Sequence, residues 1–138
     1  LEHIASVNSF IEASVNCLKP NGRMIISVPN NGSFISETEQ ILNMPPHHVG
    51  LWDEISLISL QKYFPISLEK ILYEPIMDYH YHSFEQTVYR KTYKVLDNNK
   101  YLRKMYSFFV GKPLLSNHLQ YVRKWIPGHT IMAVFIKQ

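Results

Sequence analysis

The 138 residues are 46% hydrophobic and 18% charged, with a formal net charge of +3, a balance that suits one soluble domain with its own core and excludes a disordered chain. Cys17 is the single cysteine, which excludes an internal disulfide framework and a cysteine-based zinc cluster and fits a reducing, cytoplasmic setting. No apolar run approaches the ~20 residues of a membrane span, no signal-peptide pattern opens the chain, and the start at Leu1 reads as mid-element, as in a piece of a longer or processed protein.

Ile4, Val7, Ile11, Val15 and Leu18 recur at helical spacing and predict an amphipathic helix over 4–18. Lys19-Pro20-Asn21-Gly22 is a turn signal, with Gly22 expected to take a positive φ. Met24-Ile25-Ile26-Ser27-Val28 is a short apolar run without clean alternation, which predicts a strand buried on both faces, as in a parallel sheet. Pro29-Asn30-Asn31-Gly32 closes it. Open α/β sheets keep their ligands at loops that follow the carboxyl ends of strands. No other segment supplies a parallel neighbour for this one.

Residues 34–42 are expected to form a short helix anchored by Phe34, Ile35, Ile41 and Leu42. Asn43 to Gly50 must be irregular, because Pro45 and Pro46 prevent regular hydrogen bonding. Asp53 then caps a helix carrying Ile55, Leu57, Ile58 and Leu60 and ending near Tyr63. Ile66 to Tyr73 reads as a strand bounded by Pro65 and Pro75.

Composition changes beyond Pro75. Residues 79–125 interleave tyrosines with Arg90, Lys91, Lys94, Lys100, Arg103, Lys104, Lys112, Arg123 and Lys124, against only Glu85 and Asp97. Two or three helices fit, broken near Asp97-Asn98-Asn99 and at Gly111-Lys112-Pro113, and Phe84, Val88, Lys91 and Val95 share one helical face. Pro127-Gly128 turns into His129 to Ile136, the strongest strand signal in the chain. His80-Tyr81-His82 could clamp a metal ion from a strand, but on a helix the pair diverges and no third ligand stands at suitable spacing, so no metal is expected.

Leu1-Glu2-His3-Ile4, the helix, and Leu18-Lys19-Pro20-Asn21-Gly22 leading into Arg23 to Asn30 resemble the second half of a class I S-adenosylmethionine-dependent methyltransferase. In that family a Leu-Glu-His-(Ile/Val) segment follows the fourth strand, and Leu-Lys-Pro-Gly-Gly leads into the fifth. Asn43-Met44-Pro45-Pro46-His47-His48 through Trp52 is similar to a Pro-Pro-His-His…Trp segment of one branch, and Pro127 to Val134 resembles that branch's last, antiparallel strand. The resemblance implies an α/β, partial Rossmann-like methyltransferase fold of about three strands with surrounding helices: a fifth strand, then the antiparallel pair 66–73 and 129–136, with the last lying between the other two. Residues 79–125 would be a helical basic lid insertion between the last two strands. Asn21 stands where the family has glycine, and asparagine tolerates left-handed geometry.

The family's glycine-rich loop and the acidic residue ending its second strand are missing from these residues. The chain therefore corresponds to a C-terminal half, expected neither to bind S-adenosylmethionine tightly nor to turn over by itself. The strand at 23–29 would lose its parallel neighbour, and an unpaired apolar edge of that kind recruits another copy.

By the resemblance, Glu2 and His3 lie near the cofactor's methyl-bearing sulfur. His47 and His48 sit in the loop where family members meet substrate, and an imidazole, which changes charge near neutral pH, could take the proton from an attacking hydroxyl or amine; His48 is the preferred candidate. Asn30 and Asn31 could hydrogen-bond the acceptor, although turn formers need no such role. Trp52 could wall the pocket or simply plug the core. The function implied is methyl transfer to an oxygen or nitrogen nucleophile, and a lid so basic suggests an anionic or glycan-type small molecule. The alternatives are a stand-alone module using helices 79–125 on an anionic polymer, with nucleic acid the lesser candidate, and a degenerate half-domain serving dimerisation.

Overall fold

A computed structural model of the chain describes residues 1–37, 43–95, 99–106, 108, 121 and 123–138. Val7, Ile11 and Val15 fold onto one side of α1 (Val7–Asn16), which is shorter at both ends than the spacing predicts. Ile11 and Val15 are each 1% exposed. Ile4 belongs instead to a turn in which its N–H donates to the Leu1 carbonyl at 3.1 Å.

The turn after α1 corrects one expectation. Asn21, not Gly22, carries the positive φ, at 62°. Gly22 is needed for closeness: its N–H donates to the Lys19 carbonyl at 2.8 Å, and a Cβ there would stand 2.7 Å from that same oxygen. The turn is tied to the end of the last strand, with Lys137 N–H donating to the Gly22 carbonyl at 2.9 Å and Asn21 N–H to the Lys137 carbonyl at 3.2 Å.

Three strands follow the predicted runs: β1 (Arg23–Pro29), β2 (Ile66–Pro75) and β3 (Pro127–Lys137). They form a small antiparallel sheet in the order β1-β3-β2. The last strand therefore lies between the other two, the order that the resemblance implies. β1 runs antiparallel to β3, from Arg23 opposite Ile136 to Pro29 opposite Thr130. Among the described residues β1 has no parallel neighbour strand, and the parallel pairing is an isolated bridge between Asn30 and Trp52.

Nor is β1 buried on both faces. Ile26 and Val28 face the core, while Ile25 just before them is 61% exposed and Ser27 between them is exposed as well. Among the described strands it is an edge, and the adjacency of Met24, Ile25 and Ile26 concealed an ordinary period of two. The core joins Ile11 and Val15 to Ile26, Val28, Trp52, Leu57, Leu60, Ile66, Ile131, Ala133 and Phe135. Arg23 and Glu69 close a bidentate pair at 2.7 and 2.8 Å between the two outer strands, and the hydrogen bond from the guanidinium holds the Glu69 carboxyl below its ordinary range.

Asp53 caps α2 (Glu54–Ser59) as predicted. Its carboxylate accepts from Ser56 N–H at 2.8 Å, and Ser56 Oγ in turn accepts from Asp53 N–H at 2.8 Å, so two otherwise orphaned donors are satisfied. The turn continues as a 3-10 segment over Leu60–Lys62. Tyr73 of β2 donates its hydroxyl to Glu54; burial first, then that bond and the carboxylate's charge, push the phenol up to about 12.

Two compact units divide the chain: Leu1–Glu74 with Gly128–Gln138, and Pro75–Pro127. The second contains a 3-10 turn at Asp78–His80, α3 (Tyr81–Val95), α4 (Lys100–Tyr106) and a 3-10 turn at Arg123–Trp125. Ile76 and Thr87 are buried there, and Thr87 Oγ1 donates to the Ser83 carbonyl at 3.0 Å. Lys91 is exposed, so the buried side of α3 passes through Thr87 rather than through the lysine. Arg123 pairs with Asp78, and Asn99 Oδ1 accepts from the N–H groups of Tyr101 and Leu102 at the start of α4. Phe34–Glu37 is a 3-10 turn, while the rest of the helix expected to 42 lies outside the described residues. So do Asp97, Asn98 and the break at Gly111-Lys112-Pro113.

Candidate functional site

The carboxyl end of β1 is built by its own polar residues. Asn30 is buried at 3% exposure; its Oδ1 accepts from Gly32 N–H at 3.1 Å, and its carbonyl accepts from Ser33 N–H and Ser33 Oγ. This asparagine is a turn former, and its oxygens are engaged. Asn31 N–H donates to the Trp52 carbonyl at 2.7 Å, which leaves the Asn31 side chain to reach the next loop.

That loop, Asn43 to Gly50, is irregular, as two prolines require. The Pro45–Pro46 peptide is cis, and the N–H groups of His47 and His48 both donate to the Met44 carbonyl, at 3.0 and 3.3 Å. Val49 and Gly50 N–H then donate to the Glu2 carbonyl at 2.7 and 3.2 Å. These two bonds lace the loop to the start of the chain and bring Glu2 and His3 against His47 and His48.

The hydrogen bonds around the two imidazoles select a tautomer for each. His3 Nδ1 lies 2.6 Å from the His47 carbonyl, which can only accept, so Nδ1 carries a hydrogen, and in the neutral ring the lone pair is on Nε2. A line of amides fixes His48 in the same way. Asn31 Nδ2 donates to the Pro29 carbonyl at 3.4 Å, Asn43 Nδ2 donates to Asn31 Oδ1 at 2.7 Å, and His48 Nδ1 donates to Asn43 Oδ1 at 2.9 Å. Because the line starts at an obligate acceptor, each amide has one orientation that satisfies both neighbours. The His48 lone pair therefore also sits on Nε2. The two rings meet edge to face, with centroids 4.8 Å apart.

Glu2 completes the cluster. Its Oε1 lies 3.6 Å from His3 Nε2, and its Oε2 accepts from the Leu1 nitrogen at 3.0 Å. One ligand-capable atom from each of Glu2, His3 and His48 lies within 4.8 Å of the others.

The structure thus gathers Glu2, His3, Asn31 and His48 by side chain and His47 by its carbonyl. Trp52 stands apart: it is 9% exposed and belongs to the core, with its Nε1 buried and without a hydrogen-bond partner among the described residues. Gly50 allows it to fit, since a Cβ there would stand 3.0 Å from that nitrogen. Asn43, the link between Asn31 and His48, was not among the expected site residues; its only signal was a polar side chain at the head of a proline-stiffened loop. His82 faces its own helix, with Gln86 Nε2 at 2.9 Å and Glu85 at 3.9 Å. Comparisons with protein-family models, with curated proteins and with solved structures return no match to this chain.

Proposed function

We propose that the chain takes part in S-adenosylmethionine-dependent methyl transfer to an oxygen or nitrogen nucleophile of an anionic or glycan-type small molecule. The observation that carries the reading is the imidazole cluster at the carboxyl end of β1. In the methyltransferase resemblance the cofactor's methyl group and the acceptor meet there, and the sheet order β1-β3-β2 agrees with that family's last three strands. Methyl transfer needs an acceptor held in line with the sulfonium and a place for its proton. Two imidazoles with Nε2 lone pairs, His3 and His48, supply that place, and the amide line keeps one of them from turning. Exposed Arg90, Lys91, Lys94, Lys100 and Lys104 give the chain a positive field that draws an anionic acceptor.

The test is transfer of labelled methyl groups by the full-length product of the coding sequence, over a panel of neutral and anionic hydroxyl and amine acceptors. Transfer is expected, with His48→Ala slowing it by about 10²–10⁴-fold. Absence of both transfer and cofactor binding would overturn the reading. The 138 residues alone are expected to bind the cofactor more weakly than about micromolar, because the glycine-rich loop and acidic strand end of the family are not among them. Salt-dependent gel shifts without methyl transfer would move the assignment to binding of an anionic polymer by the basic helices.

A further inference from the structure

We propose that Glu2, His3 and His48 bind one divalent transition-metal ion of the zinc class, through the Glu2 carboxylate and the Nε2 atoms of the two imidazoles. No metal was expected from the sequence, and the pair that invited one, His80 and His82, is not where the ligands gather. One ligand-capable atom of each of the three residues lies within 4.8 Å of the others, and Glu2 Oε1 and His3 Nε2 are already 3.6 Å apart. Donor atoms around a tetrahedral ion with bonds of ~2.0–2.2 Å stand roughly 3.3–3.5 Å from each other. The set therefore has to close by about an ångström. The exposed His3 ring, held through Nδ1 by its bond to the His47 carbonyl, can pivot to take up part of that movement.

The hydrogen bonds behind the donors are an independent observation. Metal-bound imidazoles hold their other ring N–H on a carbonyl or carboxylate, which fixes the tautomer and aims the lone pair. Both rings do so here, His3 on the His47 carbonyl and His48 on Asn43 Oδ1. Two imidazole nitrogens with one carboxylate suit zinc and its neighbours better than magnesium or calcium, which take oxygen donors. Three protein ligands leave a position open, the arrangement of catalytic rather than structural zinc sites. That position is suited to an acceptor or water oxygen; with both Nε2 lone pairs on the ion, its proton, made easier to lose, would pass to solvent rather than to an imidazole. This inference goes beyond methyl transfer and does not depend on it, since every ligand is in the chain and ion binding is measured without cofactor or acceptor.

The experiment is calorimetric titration of the untagged, chelator-stripped protein with zinc chloride and, in parallel, magnesium chloride, together with histidine side-chain NMR of the wild type. One equivalent of zinc is expected to bind, at least ~100-fold tighter than magnesium. Asn43→Ala should weaken zinc by roughly 10–100-fold through loss of ring orientation, and His48→Ala and Glu2→Gln by about 100-fold or more, while His82→Ala leaves it unchanged. In the wild type, the His3 and His48 ring resonances should move on adding zinc, and those of His82 should not. This readout needs no variant to fold. Absence of saturable zinc binding, binding that survives both ligand substitutions, or a response at His82 with none at His3 and His48 would overturn the proposal.

Discussion

Asp53 shows how one side chain sets a boundary. Its carboxylate and Ser56 satisfy each other's backbone N–H groups, and these bonds hold the carboxyl below its ordinary value. Asp53→Ala should cost about 0.5–2 kcal/mol in urea denaturation at neutral pH, the usual range for a lost helix cap. A carboxyl with a depressed folded-state pKa contributes stability that is present above its unfolded value and lost as pH falls through its folded one. The deficit of Asp53→Ala should therefore shrink in acid. Asp53→Asn keeps an acceptor at the cap, so it should lose little at neutral pH and show a flatter acid limb; an unchanged limb would place the acid sensitivity elsewhere. This residue was legible in the sequence because a cap is a local signal, written within four consecutive positions.

At the scale of elements, the junction of α1 and β1 divides one task between two residues. Asn21 takes the left-handed conformation and Gly22 provides the close approach to the Lys19 carbonyl. The two substitutions should behave oppositely. Gly22→Ala must push a methyl against a backbone oxygen at 2.7 Å, and should cost about 1–3 kcal/mol. Asn21→Gly should be neutral or slightly stabilising, since glycine adopts φ > 0 freely. Equal melting temperatures for Gly22→Ala and the wild type would refute the assignment. The sequence marked the turn but could not say which residue bent, because both types favour the same conformation. It likewise marked all three strands by composition, yet misread β1 as doubly buried. Adjacent apolar residues hide which side faces the core until a neighbouring strand and helix are in place.

For the whole molecule, the consequential feature is that β1 pairs with β3 alone among the described strands. Ile25 and Phe10, 61% and 50% exposed, lie beside that open flank and line the same groove. An unprotected apolar edge of this kind pairs with another chain. The 138-residue chain is expected to self-associate with increasing concentration in sedimentation velocity, and Ile25→Lys should return it to monomer. A monomer at high concentration in the unsubstituted chain would count against it. The site was the least legible level. His3 and His47 are 44 positions apart, and no spacing rule joins them. They meet because Val49 and Gly50 bond the Glu2 carbonyl, a backbone event with no side-chain signature. The resemblance supplied these residues one by one, but the tautomers and the part played by Asn43 come from the geometry alone.

Pro29 ends the strand with the open flank, and its carbonyl is also the fixed post to which the line of Asn31, Asn43 and His48 is moored. A chain lying along that flank would hold the post still, and the far imidazole would lose wobble. The strand edge and the imidazole line thereby share a single peptide plane.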